Sequence, residues 1–378
     1  MTGTLKTHAN RVLVVGGGVG GPSVAIRLAE RGVAVDLVDI ADNWGLAETG
    51  VTLSPLTARA LCDLGFADAL MAQGHMHDGL TMYDPMGHQI NQVQSPRLFS
   101  PDVPSEGGVM RPVLHRMMER RMRDLGVGIR TGLTVSEISQ DAAGVDVVFS
   151  NGRPGRYDLV IGADGLNSLV RRMVMPGAPV PKYTGQVCWR AQMALPAGWD
   201  GARMFFGPVK VGFTPCGPEE MYMFLLENVA DKPRYDDAEL LGRLKRLLAP
   251  FGGPLAAIRD AMDERTPIMA RPLETILLDD PWYVGRVILI GDAAHATTPH
   301  LASGAGMAVE DALVLVEELD RHEGYEAAMR AFMARRLPRG KLVVGNSLKL
   351  GEMEIANAPA QEIGGLMMAS LKAICAPY

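Results

Sequence analysis

The sequence predicts an α/β fold in which a parallel sheet is interrupted by an antiparallel sheet and then resumed, with helices at the C-terminal end. Three observations lead to this prediction. Residues 11–39 follow a strand–helix–strand pattern, which is the unit of a parallel sheet. Residues 183–228 alternate apolar and polar positions between glycines and prolines, as antiparallel strands do. The apolar run "RVILIGD" at 286–292 then returns to the pattern of a buried parallel strand.

The composition indicates a globular protein and argues against two classes of partner. Of the 378 residues, 47% are hydrophobic and 21% charged, which is ordinary for a globular enzyme. The formal net charge of −6 disfavours nucleic acids and anionic membrane surfaces, because both attract a basic protein. No apolar run approaches the roughly 18 residues of a membrane-spanning helix, so we expect no transmembrane span.

The cysteines and the N-terminal residues bear on the compartment. Cys62, Cys188, Cys216 and Cys375 are far apart and form no CxxC pair. Neither a zinc site nor a redox-active disulfide of local spacing is therefore indicated. Residues 1–10 are polar and lack the apolar core of a signal peptide. We expect a cytoplasmic protein without a metal site.

The hydrophobic patterns predict the individual elements in chain order. Strands at 11–15 and 33–39 flank a helix at 20–31, and a right-handed crossover joins such parallel strands. The other predicted elements are helices at 55–72 and 112–126, strands at 129–141, 145–152 and 157–165, helices at 236–249 and 254–263, and a largely helical stretch at 308–356. The helix at 309–319 is expected to pack with an acidic outer face, and residues 100–108 to form a mobile loop.

A glycine-rich turn follows the first strand. It has the spacing Gly16-x-Gly18-x-x-Gly21 and opens a helix. In this Rossmann-like arrangement the glycines permit the tight turn, the approach of a pyrophosphate and close helix–strand packing, in that order. The helix N-terminus adds N–H donors and a positive dipole. Asp39, 23 positions after Gly16, can accept hydrogen bonds from an adenosine ribose. The pattern predicts a bound dinucleotide and does not separate NAD from FAD.

Two further segments end a strand with a carboxylate. In "DLVIGADGLNSLVRR" at 158–172, Asp164 could bind a ligand or simply cap the next helix. In "ILIGDAAHATTPHLASGAGMAVEDA" at 288–312, Asp292 stands before a loop of small residues and a helix that opens at Gly304-Ala305-Gly306. Such a helix start lets a flat ring approach the backbone and its positive dipole. One ligand long enough to touch this segment and the first glycine-rich turn would explain both.

The three segments, in this order and spacing, are similar to those of the class A FAD-dependent flavoprotein monooxygenases, the p-hydroxybenzoate hydroxylase-like aromatic hydroxylase family. The similarity covers residues 10–325. It implies a discontinuous FAD-binding domain at 10–75, 108–180 and 275–325. It also implies a substrate-binding antiparallel-sheet domain at 76–107 and 181–274, and a C-terminal helical segment at 326–378.

The resemblance implies a role for each matching residue. The FAD pyrophosphate would be held by the glycine-rich turn, at Gly16, Gly18, Val19, Gly20 and Gly21. Asp39 would bind the adenosine ribose, and Val135 would lie beside the adenine. Arg111 would reach the ribityl and pyrophosphate part, and Asp292 the ribityl hydroxyls. Asp164 would serve the FAD chain and the groove where NADH or NADPH approaches. The helix start would present N–H groups to the flavin and stabilise its reduced, anionic ring, at Gly304, Ala305 and Gly306.

The sequence departs from the family at a few positions. Ala302-Ser303-Gly304 stands where many members have Gly-Gln-Gly, Gly306 where many have Asn, and Asp39 where Glu is usual. None of these changes breaks the FAD assignment. His295 would lie beside the tail of the cofactor, which disfavours a role as a base. Arg190 is expected to brace the sheet rather than to meet a substrate carboxylate.

The family places the substrate between the antiparallel sheet and the flavin, under the loop at Pro299 and His300. Tyr222 and Phe224 alternate correctly to share one face of that sheet. Their phenol and ring could orient an aromatic substrate, with Tyr222 as the candidate catalytic residue. Packing under the sheet is an equally good explanation of both.

The implied activity is that of a monooxygenase that consumes O2 and NADH or NADPH. It would hydroxylate a small aromatic or heteroaromatic, phenol-type compound through a flavin C4a-hydroperoxide. Two other oxygen insertions, epoxidation and Baeyer–Villiger oxidation, stay open as alternative reactions. A reductase and a flavin-binding sensor stay open as alternative functions. Halogenases of this fold carry a Trp-x-Trp pair, which this sequence lacks. A plain NAD-dependent dehydrogenase would leave the second and third segments unexplained. A homodimer is common in the family.

Overall fold

The structure, a computed structural model, describes residues 5–43, 49–279 and 281–378. The strands are β1 (Arg11–Val15), β2 (Ala34–Val38), β3 (Gly50–Leu53), β4 (His75–His77), β5 (Leu80–Tyr83), β6 (Gln89–Val93), β7 (Glu106–Met110), β8 (Gly128–Arg130), β9 (Val135–Gln140), β10 (Val145–Phe149), β11 (Pro154–Tyr157), β12 (Leu159–Gly162), β13 (Lys182–Ala194), β14 (Ala202–Phe206), β15 (Lys210–Pro215), β16 (Glu220–Asn228), β17 (Ile268–Thr275), β18 (Tyr283–Val284) and β19 (Val287–Leu289). The helices are α1 (Gly20–Ala29), α2 (Pro55–Asp63), α3 (Ala67–Gln73), α4 (Arg111–Asp124), α5 (Leu169–Val174), α6 (Asp237–Leu248), α7 (Gly253–Ala261), α8 (Asp292–His295), α9 (Gly304–Arg321), α10 (Tyr325–Ile355) and α11 (Ala360–Ile374). A 3-10 turn occupies Pro299–Leu301.

The first layer is a six-stranded sheet in the order β18-β19-β12-β1-β2-β8. β1 pairs in parallel with β2 and β12, and β12 pairs in parallel with β19. Val15 lies opposite Gly162, and Gly162 lies opposite Leu289. The carboxyl ends of β1, β12 and β19 therefore meet at one edge. The three segments that the sequence singles out leave the sheet there, side by side.

The second layer is a seven-stranded sheet in the order β17-β13-β16-β15-β14-β5-β6. Its strands are antiparallel except for the parallel pair β14–β5. Trp189, Phe213 and Leu225 on one face form a core with Leu244 and Leu248 of α6. The alternate residues, including Arg190 and Tyr222, therefore project from the opposite face. That face contacts β3, β7 and α10.

The predicted fold class is confirmed: a Rossmann-like parallel sheet with its βαβ unit is interleaved with a largely antiparallel sheet, and helices follow. The strand at 11–15, the first helix and the return to a parallel strand at β19 lie where the sequence predicts them. The domain bounds remain a proposal, and they include residues 44–48 and 280, which lie outside the described parts of the chain.

Three sequence predictions were wrong in detail. The predicted single helix at 55–72 is two helices. Gly65 lies between α2 and α3, and its φ of +94° is incompatible with a continuous α-helix. The predicted loop at 100–108 ends in β7, whose glycines allow close packing: a Cβ on Gly108 would lie 2.3 Å from the carbonyl oxygen of Pro215. The acidic outer face predicted for 309–319 is contradicted by Glu310 and Asp311, which are fully buried.

Two structural findings bear on the expected class of protein. Within the described residues, none of the helices combines the length and apolarity needed to cross a membrane. All four cysteines carry free thiols.

Candidate active site

The glycine-rich turn between β1 and α1 is shaped by backbone packing. Gly16 has φ +114°, and a Cβ there would lie 2.3 Å from the carbonyl oxygen of Ala163. A Cβ on Gly21 would lie 1.9 Å from the carbonyl oxygen of Gly16. Both positions therefore require glycine for the fold itself. A Cβ on Gly18 meets no atom within 4 Å. The turn is thus open on the side where a pyrophosphate is predicted to approach.

The start of α1 offers backbone donors beside this open side. Val19 is the N-cap residue and provides no side-chain cap, so N–H groups of the first turn remain available to a ligand. Gly20 lies in the contact between α1 and α9, since a Cβ there would lie 3.2 Å from the Cβ of Ala308. Helix N-termini of this kind bind phosphates through free N–H groups and the helix dipole.

Asp39 fixes the glycine-rich turn to the end of β2. Its carboxylate accepts a hydrogen bond from the backbone N–H of Gly17, and a second from that of Ala41 at 2.7 Å. The backbone N–H of Leu133 donates to the carbonyl oxygen of Asp39 at 2.9 Å. The nearby Val135 is buried at the start of β9. The predicted contacts of Asp39 with the ribose and of Val135 with the adenine stay predictions.

Asp164 caps helix α5. Its carboxylate accepts hydrogen bonds from the hydroxyl of Ser168 at 2.5 Å and from the backbone N–H groups of Leu169 and Val170 at 2.6 and 3.0 Å. Burial raises the pKa of this carboxyl group. The capping alternative considered for this segment is thus present in the structure. A further role for Asp164 at FAD or NAD(P)H stays a prediction.

The second and third segments are tied together by Arg171. Its Nη1 donates to the carbonyl oxygen of Ala293 at 2.8 Å, and its Nη2 donates to that of Leu166 at 2.7 Å. The guanidinium is buried, so both bonds are shielded from water. The loop after β12 and helix α8 therefore keep a fixed relative position.

Asp292 and Arg111 belong to one charged cleft. Asp292 is the first residue of α8 and is open to solvent, although protein surrounds it closely enough that burial raises its pKa. His295 and Arg111 act in the opposite direction and lower it. Burial lowers the pKa of Arg111, as does the neighbouring Arg190, whereas Tyr222 and Asp292 raise it. Met110 and Val113, which lie close to Arg111 in the chain, pack in one cluster with Tyr222 and Phe224. Arg111 therefore lies beside the sheet face on which Arg190 binds Tyr222.

A buried ionic network behind this cleft was missed by the sequence analysis. Asp311 accepts hydrogen bonds from the Gly291 N–H at 2.8 Å and from Arg336 Nε at 2.7 Å, and lies 2.5 Å from Nε2 of His295. Glu310 pairs with Arg336 at 2.8 Å and also with Arg339 and Arg59. Burial alone would raise the pKa of Asp311, but His295 and Arg336 outweigh it and lower the pKa to about 2.

The network assigns a structural role to His295. Its imidazole is buried between Asp311 and the ring of Trp282, whose centroid lies 4.8 Å away. The signal for the network was present in the sequence, because the acidic pair 310–311 closes the third segment and two arginines stand three positions apart at 336 and 339. Without the path of α10, nothing indicates that these groups meet.

The start of α9 combines packing with free backbone donors. A Cβ on Gly306 would lie 2.2 Å from Leu56 Cδ2, so this position needs glycine to let α2 approach. A Cβ on Gly304 would find only ordinary contact, 3.5 Å from Thr297 Cγ2. The N-cap Ser303 provides no cap, since its hydroxyl donates to Leu301 O at 2.6 Å. N–H groups of Gly304, Ala305 and Gly306 are therefore available, as the predicted flavin contact requires.

The sheet opposite this helix start carries Tyr222 and Phe224. The Tyr222 oxygen accepts a hydrogen bond from Arg190 Nε at 3.0 Å, which bridges β13 and β16 in the bracing role predicted for Arg190. Burial raises the pKa of Tyr222 to about 12. Phe224 lies over Gly212 of β15, where a Cβ would approach the ring to 2.2 Å. The two rings have centroids 6.2 Å apart at an interplanar angle of 29°.

The 3-10 turn Pro299–Leu301 lies against α10 and α11. His300 is buried, with Nδ1 2.9 Å from the hydroxyl of Thr298 and Nε2 3.3 Å from a carboxylate oxygen of Glu354 on α10. Burial lowers the pKa of His300. The predicted contact of Pro299 and His300 with substrate stays a prediction.

The polar groups of this cleft suit FAD. The Nε of Arg111 is buried, and within the described residues it has no hydrogen-bond partner. The open side of Gly18 and the uncapped starts of α1 and α9 supply further donors. Donors spread along one sheet edge match an extended anionic dinucleotide. The roles of Asp39 and Asp292 as acceptors for sugar and ribityl hydroxyls stay predictions.

Comparisons with known proteins agree with this geometry. Residues 9–194 and 259–347 match a family model described as FAD binding domain. The chain is 30% identical to YetM of Bacillus subtilis over 96% of its own length and 98% of that protein. It is 32% identical to 2-heptyl-3-hydroxy-4(1H)-quinolone synthase of Pseudomonas aeruginosa, covering 80% of this chain and 79% of the synthase. The crystal structure of Klebsiella pneumoniae HpxO with FAD and uric acid superposes with a TM-score of 0.85 at 25% identity, covering 98% and 97% of the two chains.

The fold and the cleft define a flavoprotein, and the chain belongs to the FAD binding domain family. It is a flavin-dependent monooxygenase with FAD as its cofactor. The resemblance to the class A monooxygenases drawn from three sequence segments is thereby confirmed.

Proposed function

We propose that this monooxygenase hydroxylates a small aromatic or heteroaromatic compound, with O2 and NADH or NADPH as co-substrates. The overall reaction converts the ring C–H, O2, NAD(P)H and a proton into the ring C–OH, NAD(P)+ and water. One observation carries the proposal. The sheet face beside the start of α4 presents two aromatic rings next to a guanidinium, at Tyr222, Phe224 and Arg190.

In this proposal FAD spans the edge where β1, β12 and β19 end. Gly16, Gly18, Val19, Gly20 and Gly21 form the pyrophosphate turn. Asp39 and Val135 serve the adenosine end, and Asp164 serves the FAD chain and the groove where NAD(P)H approaches. Arg111 and Asp292 serve the ribityl chain, and the flavin ring is met by Gly304, Ala305 and Gly306. Bound FAD supplies the reduction and activation of O2. The chain supplies orientation, exclusion of water and hydrogen bonds to the substrate.

Tyr222 is suited to donate a hydrogen bond and unsuited to act as a base. Its oxygen already accepts the hydrogen bond from Arg190, so its own O–H proton is free to point elsewhere. With a pKa raised to about 12 by burial, the phenol keeps that proton at neutral pH. A substrate oxygen next to Tyr222 would receive this proton in a hydrogen bond. Within the described residues the two Nη atoms of Arg190 have no protein acceptor, and they would favour an anionic form of that oxygen.

Phe224 would provide the surface on which the substrate ring lies. Its ring is held over Gly212 and is half-buried, next to Arg190 across the strand pair. Aromatic rings stack on such a surface with offset geometry. The Pro299–Leu301 turn would cover the opposite side. The named relatives support this class, since a quinolone and uric acid are both flat, nitrogen-containing two-ring compounds.

Three finer expectations remain part of the proposal. NADH or NADPH would reduce the flavin by transient contact, which agrees with the lack of a second dinucleotide fingerprint in the sequence. We also propose a cytoplasmic location, from the free thiols of all four cysteines. We propose a homodimer because homodimers are common in the family.

The test is NAD(P)H oxidation by the purified yellow protein with a panel of phenols, benzoates, hydroxypyridines and 4-quinolones. We expect one class of ring compound to accelerate oxidation and to appear hydroxylated, with little hydrogen peroxide. Full FAD occupancy with neither stimulation nor hydroxylated product for any compound would contradict the proposal and favour a reductase or sensor.

A further inference from the structure

The face of β16 that looks onto the cleft changes character along its length. Tyr222, Phe224 and Leu226 follow each other at every second position and so share this face. Tyr222 lies at the charged end beside Arg190. Leu226 instead belongs to an apolar cluster with Cys188 and Leu273, against which Phe224 also packs. From the first to the last of these residues, the face extends about 13 Å and passes from polar to aromatic to apolar.

An ion pair stands at the apolar end of this face. Lys210 of β15 is the direct cross-strand neighbour of Leu226 and therefore projects from the same face. Its Nζ donates to a carboxylate oxygen of Glu354 on α10. The other carboxylate oxygen of Glu354 lies 3.3 Å from Nε2 of His300. The side chains of Lys210 and Glu354 are only 16% and 17% exposed. The three residues thus connect the sheet, α10 and the Pro299–Leu301 turn.

Helix α10 lies tightly on the sheet at this point. A Cβ on Gly351 would lie 2.9 Å from Gln186 Oε1 and 3.1 Å from His300 Cε1. One turn further on, Ile355 Cδ1 would lie 3.1 Å from a Cβ on Gly185. The helix therefore contacts β13 on one side while Glu354 reaches Lys210 across β16. The ion pair therefore joins α10 to β15 beside these close contacts.

The carboxylate of Glu354 remains ionised over the usual pH range. Burial raises the pKa of Glu354, but the nearby imidazole of His300 and the charge of Lys210 outweigh it and lower the pKa to about 2. A charged pair of this kind is a poor neighbour for an alkyl chain, since separating it leaves a carboxylate in a partly buried site without its partner. The ion pair therefore limits the space for a substrate substituent by its charge as well as by its volume.

We propose that the Lys210–Glu354 ion pair closes the substrate cleft beyond Leu226 and sets the upper length of the compounds that the site accepts. The inference rests on the proposed function, because it takes the sheet face of Tyr222 and Phe224 as the substrate surface. Both residues lie outside the stretches 9–194 and 259–347 that match the family model. They are therefore features of this chain that membership of the family does not assign.

The predicted substrate is a ring compound whose polar oxygen faces Arg190 and Tyr222 and whose substituent points toward Leu226. A short apolar substituent gains affinity against the half-buried ring of Phe224, which packs on this buried cluster. A longer one meets the ion pair and loses that gain. Replacing both charged residues together avoids leaving one charge unpaired.

The experiment measures the binding of four 4-quinolones, unsubstituted and with methyl, propyl or heptyl at position 2, by the change that each causes in the absorbance of the bound flavin. The wild type is compared with the double variant Lys210→Ala/Glu354→Ala. Lys210→Arg retains the ion pair and should behave as the wild type. Glu352→Gln, which removes an exposed pair with Lys349 on the same helix, is the matched control.

We expect the affinity of the wild type to rise to the methyl or propyl compound and to fall for the heptyl compound. In the double variant the rise should continue, by about fourfold for each further buried methylene, with FAD content unchanged. The inference is overturned if the dependence on length is the same in both proteins, or if Glu352→Gln shifts it equally. If no quinolone perturbs the flavin of either protein while FAD is bound, the proposed heteroaromatic site itself is contradicted, and the inference falls with it.

Discussion

The carboxylate of Asp311 accepts the hydrogen bond of the Gly291 backbone N–H at 2.8 Å, and it thereby connects α9 to the turn that presents Asp292. The same carboxylate binds Arg336 and His295 in a fully buried position. The turn that presents Asp292, the proposed cofactor ligand, is therefore held in place by a buried ionic network. Cofactor binding by Asp292 and structural support by Asp311 are therefore separate roles, and each can be tested with its own variant.

Asp311→Asn should destabilise the fold by about 3–5 kcal/mol at neutral pH, because Arg336 loses a buried charged partner. The folded-state pKa of Asp311, about 2, lies below its ordinary value of 3.8. Its contribution is therefore complete above about pH 4 and disappears as the pH falls through 2. Urea unfolding of wild type and variant across this range should show the difference in free energy shrinking with acidity. A difference that is independent of pH would contradict the ionic role.

Gly306→Ala should destabilise the protein by about 1–3 kcal/mol. The new Cβ would lie 2.2 Å from Leu56 Cδ2 and 2.6 Å from Thr57 Oγ1, so α2 and α9 would have to separate. Gly345→Ala in α10 is the matched control, since no atom lies within 4 Å of its Cβ position. There the higher helix propensity of alanine should stabilise the protein slightly. Equal melting temperatures for the two variants would refute the packing argument.

Tyr222→Phe should lower kcat/KM for the hydroxylated substrate by about tenfold, because one hydrogen bond to the substrate oxygen is lost. FAD content should stay the same, since in our proposal Tyr222 touches only the substrate. Arg190→Met should also lower kcat/KM, with a larger effect on anionic substrates. Steady-state kinetics together with the flavin spectrum of each variant will check this. Unchanged kcat/KM in Tyr222→Phe would contradict the substrate contact and show that Tyr222 only packs under the sheet.

The ratio of kcat/KM between wild type and Tyr222→Phe should not vary between about pH 6 and 9. Burial raises the pKa of Tyr222 to about 12, so its phenol does not ionise in this range. A ratio that falls or rises with an apparent pKa inside the range would instead identify Tyr222 as an acid–base group.

Local patterns predicted the parts of the site that short sequence segments determine. Gly16, Asp39, Asp164 and Asp292 were placed correctly at strand ends, because strand, turn and helix signals are adjacent in the chain. The convergence of these ends follows from the parallel register of β1, β12 and β19.

The remaining parts depend on contacts between residues far apart in sequence. Asp311 meets Arg336 only through the path of α10, and Lys210 meets Glu354 across 144 positions. Acidic residues on a predicted amphipathic helix are usually solvated, and nothing local indicates that Glu310 and Asp311 turn inward. The capping role of Asp164 was left open because Asp serves caps and ligands equally well.

The most direct test of the account is the flavin content of purified Asp292→Ala, measured by absorbance against wild type. Asp146→Ala, which removes an exposed carboxylate on β10, is the matched control. We expect Asp292→Ala to lose most of its FAD on purification, because in our proposal its carboxylate accepts charge-assisted hydrogen bonds from the ribityl hydroxyls. Asp146→Ala should remain yellow. Full FAD occupancy in Asp292→Ala would contradict the assignment of this cleft as the cofactor site.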